Sequence, residues 1–396
     1  MRSLPVIHII TKLEFGGAQQ NTLYTVQNLD RRMFSPILIT GPGGYLMPEA
    51  KRMDVPLIVA QGLVREISPL TDLKAYREMA RILRSVAPGP SIVHTHSSKA
   101  GIVGRWAAKK CRIPVIIHSI HGFGFTPSQS AVRRTLFRAA EKRTSGITDH
   151  FIAVSHSNRQ DGVKYGLFGE DRCTVIRSGF DLDRFRNSSS KSESFYKEEG
   201  IPTGSPVVLM VACLKPQKAP LDFVHAARLV KDLRPDAHFL LAGDGELRDD
   251  LAREVVRLDL SDSFHLLGWR EDVPELMRTS HVVVLTSLWE GLPRVIPQAK
   301  ASGRPVVATA VDGSREALRE GEDGYLCAPG DVRAISRRIL TLIDDPDRAR
   351  KMGEAGSLTV DEFDRDTMVR EQEDLYRRLL EAKGVTLSEE GQWTGQ

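Results

Sequence analysis

The stretch Ser287–Asp312, SLWEGLPRVIPQAKASGRPVVATAVD, concentrates residue types suited to holding a polar, anionic ligand. An apolar run ends at Ser287 and a helical pattern starts near Arg294, which leaves Glu290, Gly291, Leu292 and Pro293 in the loop between them. Backbone N–H groups at the start of a helix favour an anion, and Gly291, without a Cβ, lets that anion come close. Glu290 is a carboxylate among such donors, suited to accepting hydrogen bonds from hydroxyls. Taken alone, it fits equally well as an acid stabilised by the dipole of the helix that follows.

Other groups are capable of chemistry but carry less of it. His94, His96, His118 and His121 lie near the ends of two predicted strands. Histidines at i and i+2 share a strand face, which is a metal-pair spacing. No carboxylate or cysteine stands near them in sequence, so no metal is expected. Core or loop positions are the simpler reading. Cys111, Cys173, Cys213 and Cys327 are far apart and show no CxxC spacing, which argues against disulfides and fits a reducing cytoplasm. Gly16-Gly17-Ala18-Gln19 follows the first apolar run but lacks the GxGxxG spacing of a dinucleotide site, which weighs against a dehydrogenase.

The elements that must position these groups follow a regular rhythm. Strands are predicted over Val6–Thr11, Pro36–Thr40, Ser91–His96, Val115–Ile120 and His150–Ser155, and helices over Ala18–Leu29, Asp72–Val86, Ala100–Cys111 and Ala131–Arg143. Short apolar runs separated by helices point to parallel sheets covered on both faces. Asn187–Gly204, polar and serine-rich, is predicted as a linker. The rhythm then restarts with strands over Val207–Ala212, His238–Gly243, Phe264–Gly268, Val282–Ser287 and Val306–Thr309. The fold class expected is α/β, two tandem Rossmann-like doubly wound domains facing a central cleft. The first spans 1–186, the linker and start of the second 187–204, and the second 205–365. A helix over 366–383 and a flexible tail over 384–396 complete the chain. Ligands of such sheets bind beyond the carboxyl ends of the strands.

With these residues in view, Glu290-Gly291-Leu292-Pro293 resembles the signature of retaining glycosyltransferases of the GT-B fold, family 4, and the resemblance extends over almost the whole chain; it implies that the helix over 366–383 returns to the N-terminal domain. The family's second glutamate, which holds the ribose hydroxyls of the nucleotide, is replaced by Gln298, which can both accept and donate hydrogen bonds. Leu214-Lys215-Pro216-Gln217-Lys218 resembles the family's pyrophosphate clamp. Lys218 stands at the lysine position, Cys213 occupies the arginine position, and Lys215 or Arg294 is available to replace that charge. His121, followed by Gly122, resembles the family's cleft histidine that reaches the donor sugar. Gly16 and Gly17 resemble its glycine loop near the donor phosphates. Gly243, Trp269 and Arg270 fall in further donor-side loops.

The resemblance implies a glycosyltransferase that moves a hexose-type sugar from a UDP- or GDP-sugar, with Glu290, His121 and Lys218 as the catalytic set. Gly16, Gly17, Lys215, Gly243, Trp269, Arg270, Gly291, Leu292, Arg294 and Gln298 complete the donor-binding set. No cofactor is expected. Asp181-Leu182-Asp183 is an Asp-x-Asp, and the resemblance aligns it with the domain junction, away from where a metal-dependent transferase would use it. Lys218 and backbone amides are therefore expected to stabilise the leaving diphosphate. A non-hydrolysing nucleotide-sugar epimerase and a sugar-nucleotide-binding protein without catalysis are the alternatives. Cys213 and Gln298 keep the second of these open.

Charge points to the acceptor. Residues 1–180 carry 25 Lys and Arg against 12 Asp and Glu, while the remainder carries 30 against 39. A basic first half suits a phosphate-bearing lipid, a membrane surface or nucleic acid, or is simply a solvated surface. Aromatic content of 6% and the lack of a recognition motif set nucleic acid aside. Ala131–Arg143 is a basic amphipathic helix, with Val132, Leu136, Phe137 and Ala140 opposing Arg133, Arg134, Lys142 and Arg143. It suits an anionic membrane surface, or packs its apolar stripe inward. The acceptor class expected is a saccharide of the cell envelope, a polysaccharide or a lipid-linked sugar. The expected location is the cytoplasm, peripheral to the inner membrane face. Hydrophobic content of 41% is that of an ordinary globular chain, and no apolar run approaches the ~20 residues a membrane-spanning helix needs.

Overall fold

The computed structural model describes residues 3–66, 68–125, 129–191, 193–387 and 393–395. It divides into two compact units, 1–179 with 365–396, and 180–364. The first part of unit 1 runs β1 (Leu4–Ile10), α1 (Gly17–Asn28), β2 (Phe34–Thr40), α2 (Met47–Arg52), β3 (Leu57–Val59), α3 (Pro69–Val86), β4 (Ile92–His96), α4 (Ser98–Lys110), β5 (Val115–Ile120), α5 (Ala131–Ser145), β6 (His150–Ala153), α6 (His156–Lys164) and β7 (Cys173–Val175).

Unit 2 runs α7 (Leu182–Arg186), α8 (Glu193–Glu198), β8 (Val207–Val211), α9 (Pro220–Lys231), β9 (His238–Ala242), α10 (Arg248–Arg257), β10 (Phe264–Gly268), α11 (Val273–Thr279), β11 (Val282–Leu285), α12 (Val295–Ala301), β12 (Val306–Thr309), α13 (Ser314–Ala317), β13 (Gly324–Cys327), α14 (Val332–Ile343) and α15 (Pro346–Ser357). The chain then returns to unit 1 through α16 (Arg365–Glu381), β14 (Val385–Leu387) and β15 (Trp393–Gly395).

Each unit is built on one parallel sheet. Unit 1 has the order β3-β2-β1-β4-β5-β6-β7 and unit 2 the order β10-β9-β8-β11-β12-β13. Central strands are buried on both faces, which is why they are uninterrupted apolar runs such as Val207–Val211. In unit 2, Val208, Met210, Phe239, Leu241, Val282 and Val284 pack with Phe223 and Ile339 of the covering helices. Each such side chain contributes about 1.5–3 kcal/mol by leaving water. The strand order reverses between β1 and β4 in unit 1 and between β8 and β11 in unit 2. Doubly wound sheets open a binding crevice at such a reversal.

Helix α16 covers one face of the unit 1 sheet, where Met368, Val369, Leu375, Tyr376 and Leu380 pack with Val6, Ile92, Val115 and Ile117. Among the described residues no helix is long and apolar enough to cross a membrane.

The structure departs from the sequence reading in several places. The short strands β3, β7 and β13 were not anticipated, since three or four residues give too brief a run to stand out from a loop. The predicted linker 187–204 is not featureless. Unit 2 already begins at Phe180, and the segment holds α8, whose Phe195 is buried. The predicted flexible tail contains an antiparallel pair, Val385↔Gly395 to Leu387↔Trp393, with Val385 buried against α16 and its neighbours. A strand pair anchored by one buried valine outweighs the polar composition around it.

Candidate active site

In unit 2 the loops after β8 and β11, on either side of the strand reversal, are stitched to each other. Thr286 Oγ1 donates to the carbonyls of Lys218 and Ala219, each at 2.9 Å. Leu288 N donates to Gln217 O at 2.8 Å, and Gln217 Nε2 returns a bond to Trp289 O at 2.8 Å. Ala219 adopts a left-handed conformation, φ +41°, at the start of α9. That conformation costs a non-glycine residue roughly 1–3 kcal/mol, and the tethers from Thr286 and Leu288 hold it in place.

These bonds deliver Lys218 to Glu290. Lys218 Nζ donates to Glu290 Oε1 at 2.5 Å. Ser287 Oγ donates to the same oxygen at 2.5 Å, and Glu290 N donates to Asp312 Oδ2 at 2.9 Å. The Glu290 side chain is only 7% exposed and that of Lys218 22% exposed, so the carboxylate is sunk while the ammonium borders solvent. A buried carboxylate needs such partners, because an unpaired one costs several kcal/mol. The arrangement offers a cation for an anionic ligand and a carboxylate that can turn to hydroxyls.

The neighbouring backbone is packed too closely for side chains. A Cβ on Gly313 would stand 2.2 Å from Gly291 O, so this glycine lets the loop after β12 lie against the Glu290 loop. Gly243 has φ +141°, and a Cβ there would meet Ala212 O at 1.8 Å. Its place is therefore the close approach of the loops after β8 and β9.

The remaining donor-side residues of unit 2 are placed unevenly. Leu292 is buried beneath the loop and Gln298 lies half-buried on α12. Arg294 immediately precedes α12, half-buried, and desolvation pulls its guanidinium down to about 10. Lys215 is exposed, and Trp269 is 47% exposed. Arg270 is engaged elsewhere, with its guanidinium bidentate on Asp272 at 2.8 and 2.6 Å, and this pairing holds the Asp272 carboxyl well below its usual range. Asp181 of the Asp-x-Asp caps α7, accepting from Arg184 N at 3.1 Å.

Unit 1 holds the other predicted site residues. Gly16 and Gly17 begin α1, and His121 follows β5. Gly122 has φ +135°, a turn that favours glycine directly after the histidine. His121 Nε2 is 3.3 Å from His96 Nδ1, and His96 Nε2 is 3.0 Å from His8 Nδ1. His8, His94 and His96 bring ligand-capable nitrogens within 4.8 Å of one another. Those nitrogens are engaged in hydrogen bonds with one another, with Ser119 and with Tyr376. His118 lies on the opposite face against Thr95 Oγ1 at 2.9 Å. Burial lowers the pKa of all four, that of His8 to about 3.

Sequence reasoning assigned no role to Ser287, Asp312, His8 or Tyr376. The first two bound the segment it singled out, and their polar side chains at strand ends were the available signal. His8 and Tyr376 carried none, because strand register sets His8 beside His94 and only the return of α16 brings Tyr376 to them.

Two doubly wound parallel sheets, each with a strand reversal, are the architecture of glycosyltransferases of the GT-B type. The chain belongs to glycosyltransferase family 4. Residues 15–184 match the family described as Glycosyltransferase Family 4, and residues 191–359 match Glycosyl transferases group 1. The Escherichia coli UDP-Gal:alpha-D-GlcNAc-diphosphoundecaprenol alpha-1,3-galactosyltransferase is 30% identical over 86% of this chain and 88% of its own. The Campylobacter jejuni N,N'-diacetylbacillosaminyl-diphospho-undecaprenol alpha-1,3-N-acetylgalactosaminyltransferase is 24% identical over 87% and 91%. Anabaena HepE, solved with UDP-glucose, superposes with a TM-score of 0.79 at 20% identity, covering 94% of this chain and 99% of that one. The family assignment sets aside the epimerase reading.

Proposed function

We propose that this glycosyltransferase moves a hexose from a UDP-sugar to a lipid-linked saccharide, with retention of anomeric configuration and without a metal ion. The observation that carries this reading is the Lys218–Glu290 pair at the β8/β11 reversal. In this reading the incoming diphosphate takes Lys218 as its counter-ion, and Glu290, released from it, accepts hydrogen bonds from hydroxyls of the donor. The anomeric C–O bond to phosphate breaks as the acceptor oxygen bonds the same carbon from the same face. The acceptor's proton passes to the leaving phosphate. Lys218 matters most as that bond breaks, because charge then builds on the diphosphate. Gly291 gives the ligand close approach, Gln298 is read as the ribose contact, and His121 as a contact to the sugar.

The UDP donor is favoured by the E. coli relative, which is named for UDP-Gal, and the lipid-linked acceptor by both transferases, named for diphosphoundecaprenol-bound substrates. A lipid surface also suits α5. Val132 and Leu136 are 72% and 66% exposed rather than turned inward, beside Arg133, Arg134 and Arg138. An apolar ridge flanked by arginines matches an anionic interface.

Thermal-shift titration with UDP and GDP, in magnesium and in EDTA, tests the reading on wild type and Lys218→Ala. The expected result is a shift with UDP in both buffers, lost in the variant. Ligand at ~100 times its dissociation constant stabilises by about 2.7 kcal/mol. A shift with GDP alone, or only with magnesium, overturns the donor or the metal-free step. No shift with either favours a chain whose donor site has lost function through Cys213 and Gln298. The anomeric coupling of the product then decides between retention and inversion.

A further inference from the structure

Strands β8, β11 and β12 lie side by side and parallel in unit 2, and the loop after each brings one charged side chain to the same place. Lys218 comes from the loop after β8, Glu290 from the loop after β11 and Asp312 from the loop after β12. Lys218 Nζ holds the Glu290 side chain at Oε1, and Asp312 Oδ2 accepts from the Glu290 main-chain N–H at 2.9 Å. Thr309 Oγ1, at the end of β12, donates to Ser287 O at 2.5 Å and ties the last two loops together. A lysine and a carboxylate thus flank Glu290, one from each strand beside β11.

Asp312 has φ +29°, in the left-handed region, and Gly313 after it is packed against Gly291 O. Glycine adopts such a backbone freely, whereas aspartate does so at a conformational cost. The backbone alone therefore favours glycine at this position, yet a carboxylate stands there. Its bond to Glu290 N uses only one of its two oxygens. Among the described residues Asp312 Oδ1 receives no hydrogen bond, and no lysine or arginine pairs with it. The residue is half-buried and Oδ1 is not sealed from water. An ionised carboxylate is an acceptor only, so this oxygen is suited to a ligand that brings a donor.

The two flanking charges also orient a ligand. A diphosphate is drawn to Lys218 and repelled by Asp312, so the uncharged sugar of a UDP-sugar is the part turned toward Asp312. Sugar hydroxyls are donors, and a hydrogen bond to an ionised carboxylate is roughly twice as strong as a neutral one.

We propose that Asp312 is a specificity-determining residue whose Oδ1 accepts a hydrogen bond from a hydroxyl of the donor sugar, next to Glu290. This rests on the reading of Glu290 as the carboxylate that meets the donor's hydroxyls. Two carboxylates from neighbouring loops then recognise the sugar. A sugar that lacks the matching hydroxyl leaves Oδ1 without a partner, which is how such a site rejects it.

The test is calorimetric titration of the full chain as wild type, Asp312→Asn and Asp312→Gly. The probes are UDP, UDP-galactose, UDP-glucose and the two corresponding UDP-N-acetylhexosamines, and the UDP-sugar that wild type binds most tightly is carried into the variants. Asparagine tolerates the left-handed backbone and keeps a carbonyl oxygen for Glu290 N, but its NH2 replaces Oδ1 and cannot accept. Glycine removes both oxygens and the backbone cost. Both variants are expected to bind the UDP-sugar about tenfold or more weakly, the usual worth of a hydrogen bond to a charged group, and UDP within about threefold of wild type.

Asp312→Asn that binds the UDP-sugar as wild type does overturns the inference and leaves Asp312 as a support for the Glu290 main chain. Equal losses for UDP and UDP-sugar in both variants also overturn it, because the damage then lies in the loop. A wild type that binds UDP but none of the UDP-sugars overturns the inference alone. One that binds no UDP overturns the proposed function, and the inference with it.

Discussion

Lys218 Nζ and Glu290 Oε1 stand 2.5 Å apart across a sequence separation of 72 residues. The lysine ends the loop after β8 and the glutamate lies in the loop after β11, and these are neighbouring strands that run in parallel. Removing either partner has different consequences. Lys218→Ala leaves a carboxylate buried with only the Ser287 hydroxyl and is expected to lower stability. It is also expected to lower kcat/KM by about 10²–10³, the usual cost of one donor to a developing charge. Lys218→Ala combined with Glu290→Gln should recover much of the stability, by melting temperature, and none of the activity. Recovery of both would mean that the lysine serves only the fold.

Gly313→Ala is expected to act on the same loop without touching a charge. Its Cβ would fall 2.2 Å from Gly291 O, a backbone atom that cannot swing aside. The Glu290 loop must shift, so UDP affinity should drop by at least tenfold, roughly 1.4 kcal/mol, in a titration. Gly321→Ala serves as a control. Its Cβ meets nothing within 4 Å, so its cost is confined to a positive φ of +77°.

Arg270 was among the residues expected to bind the donor, but its guanidinium is clamped to Asp272, which Lys191 also contacts. Arg270→Ala is therefore expected to change the UDP dissociation constant by less than about threefold. Its main effect should be on stability, by about 1 kcal/mol, as for a partly exposed pair. A tenfold loss of UDP affinity would return Arg270 to the donor site.

Acid should unfold the protein through its histidines. Burial lowers the folded pKa of His8 to about 3, of His150 and His265 to about 4, and of His94, His96 and His118 below the usual value. The unfolded chain, with histidines near 6.5, therefore takes up protons first as pH falls. Stability is fully present above about pH 6.5 and is lost progressively as the pH drops toward 4, by up to about 1.4 kcal/mol per pH unit for each such histidine. Urea midpoints measured from pH 8 to pH 4.5 should show a plateau and then a steep fall. A flat profile would contradict neutral burial.

On α5, Val132→Asp with Leu136→Asp should leave the melting temperature within about a degree or two, since exposed substitutions usually cost less than 0.5 kcal/mol. Flotation with anionic vesicles at low salt should fall sharply in this variant. Equal flotation of variant and wild type would remove α5 as the lipid-facing surface.

Where the chain alternates between apolar runs and helical periods, the architecture was legible from local patterning. Strands such as Val207–Val211, buried on both faces, can tolerate almost nothing but apolar residues, and that constraint is written residue by residue. Strands β3, β7 and β13 escaped because so short a strand imposes too few constraints to be seen. The loop signature from Glu290 to Pro293 was equally legible, since an anion-facing loop restricts side-chain type and glycine placement within a few consecutive residues.

What the sequence determined by itself was therefore the two parallel-sheet units, their order, and the loop residues beside the strand ends. Only the tertiary structure decided that Glu290 is held by Lys218 and Ser287, that Arg270 is taken by Asp272, and that Val132 and Leu136 of α5 face outward while Phe137 packs against the core. It also decided that His8 and Tyr376, 368 positions apart, stand behind the histidine after β5. Hydrogen bonds and ion pairs depend on distances of a few ångströms between residues remote in sequence. Such distances follow from strand register and helix packing, which no local pattern encodes.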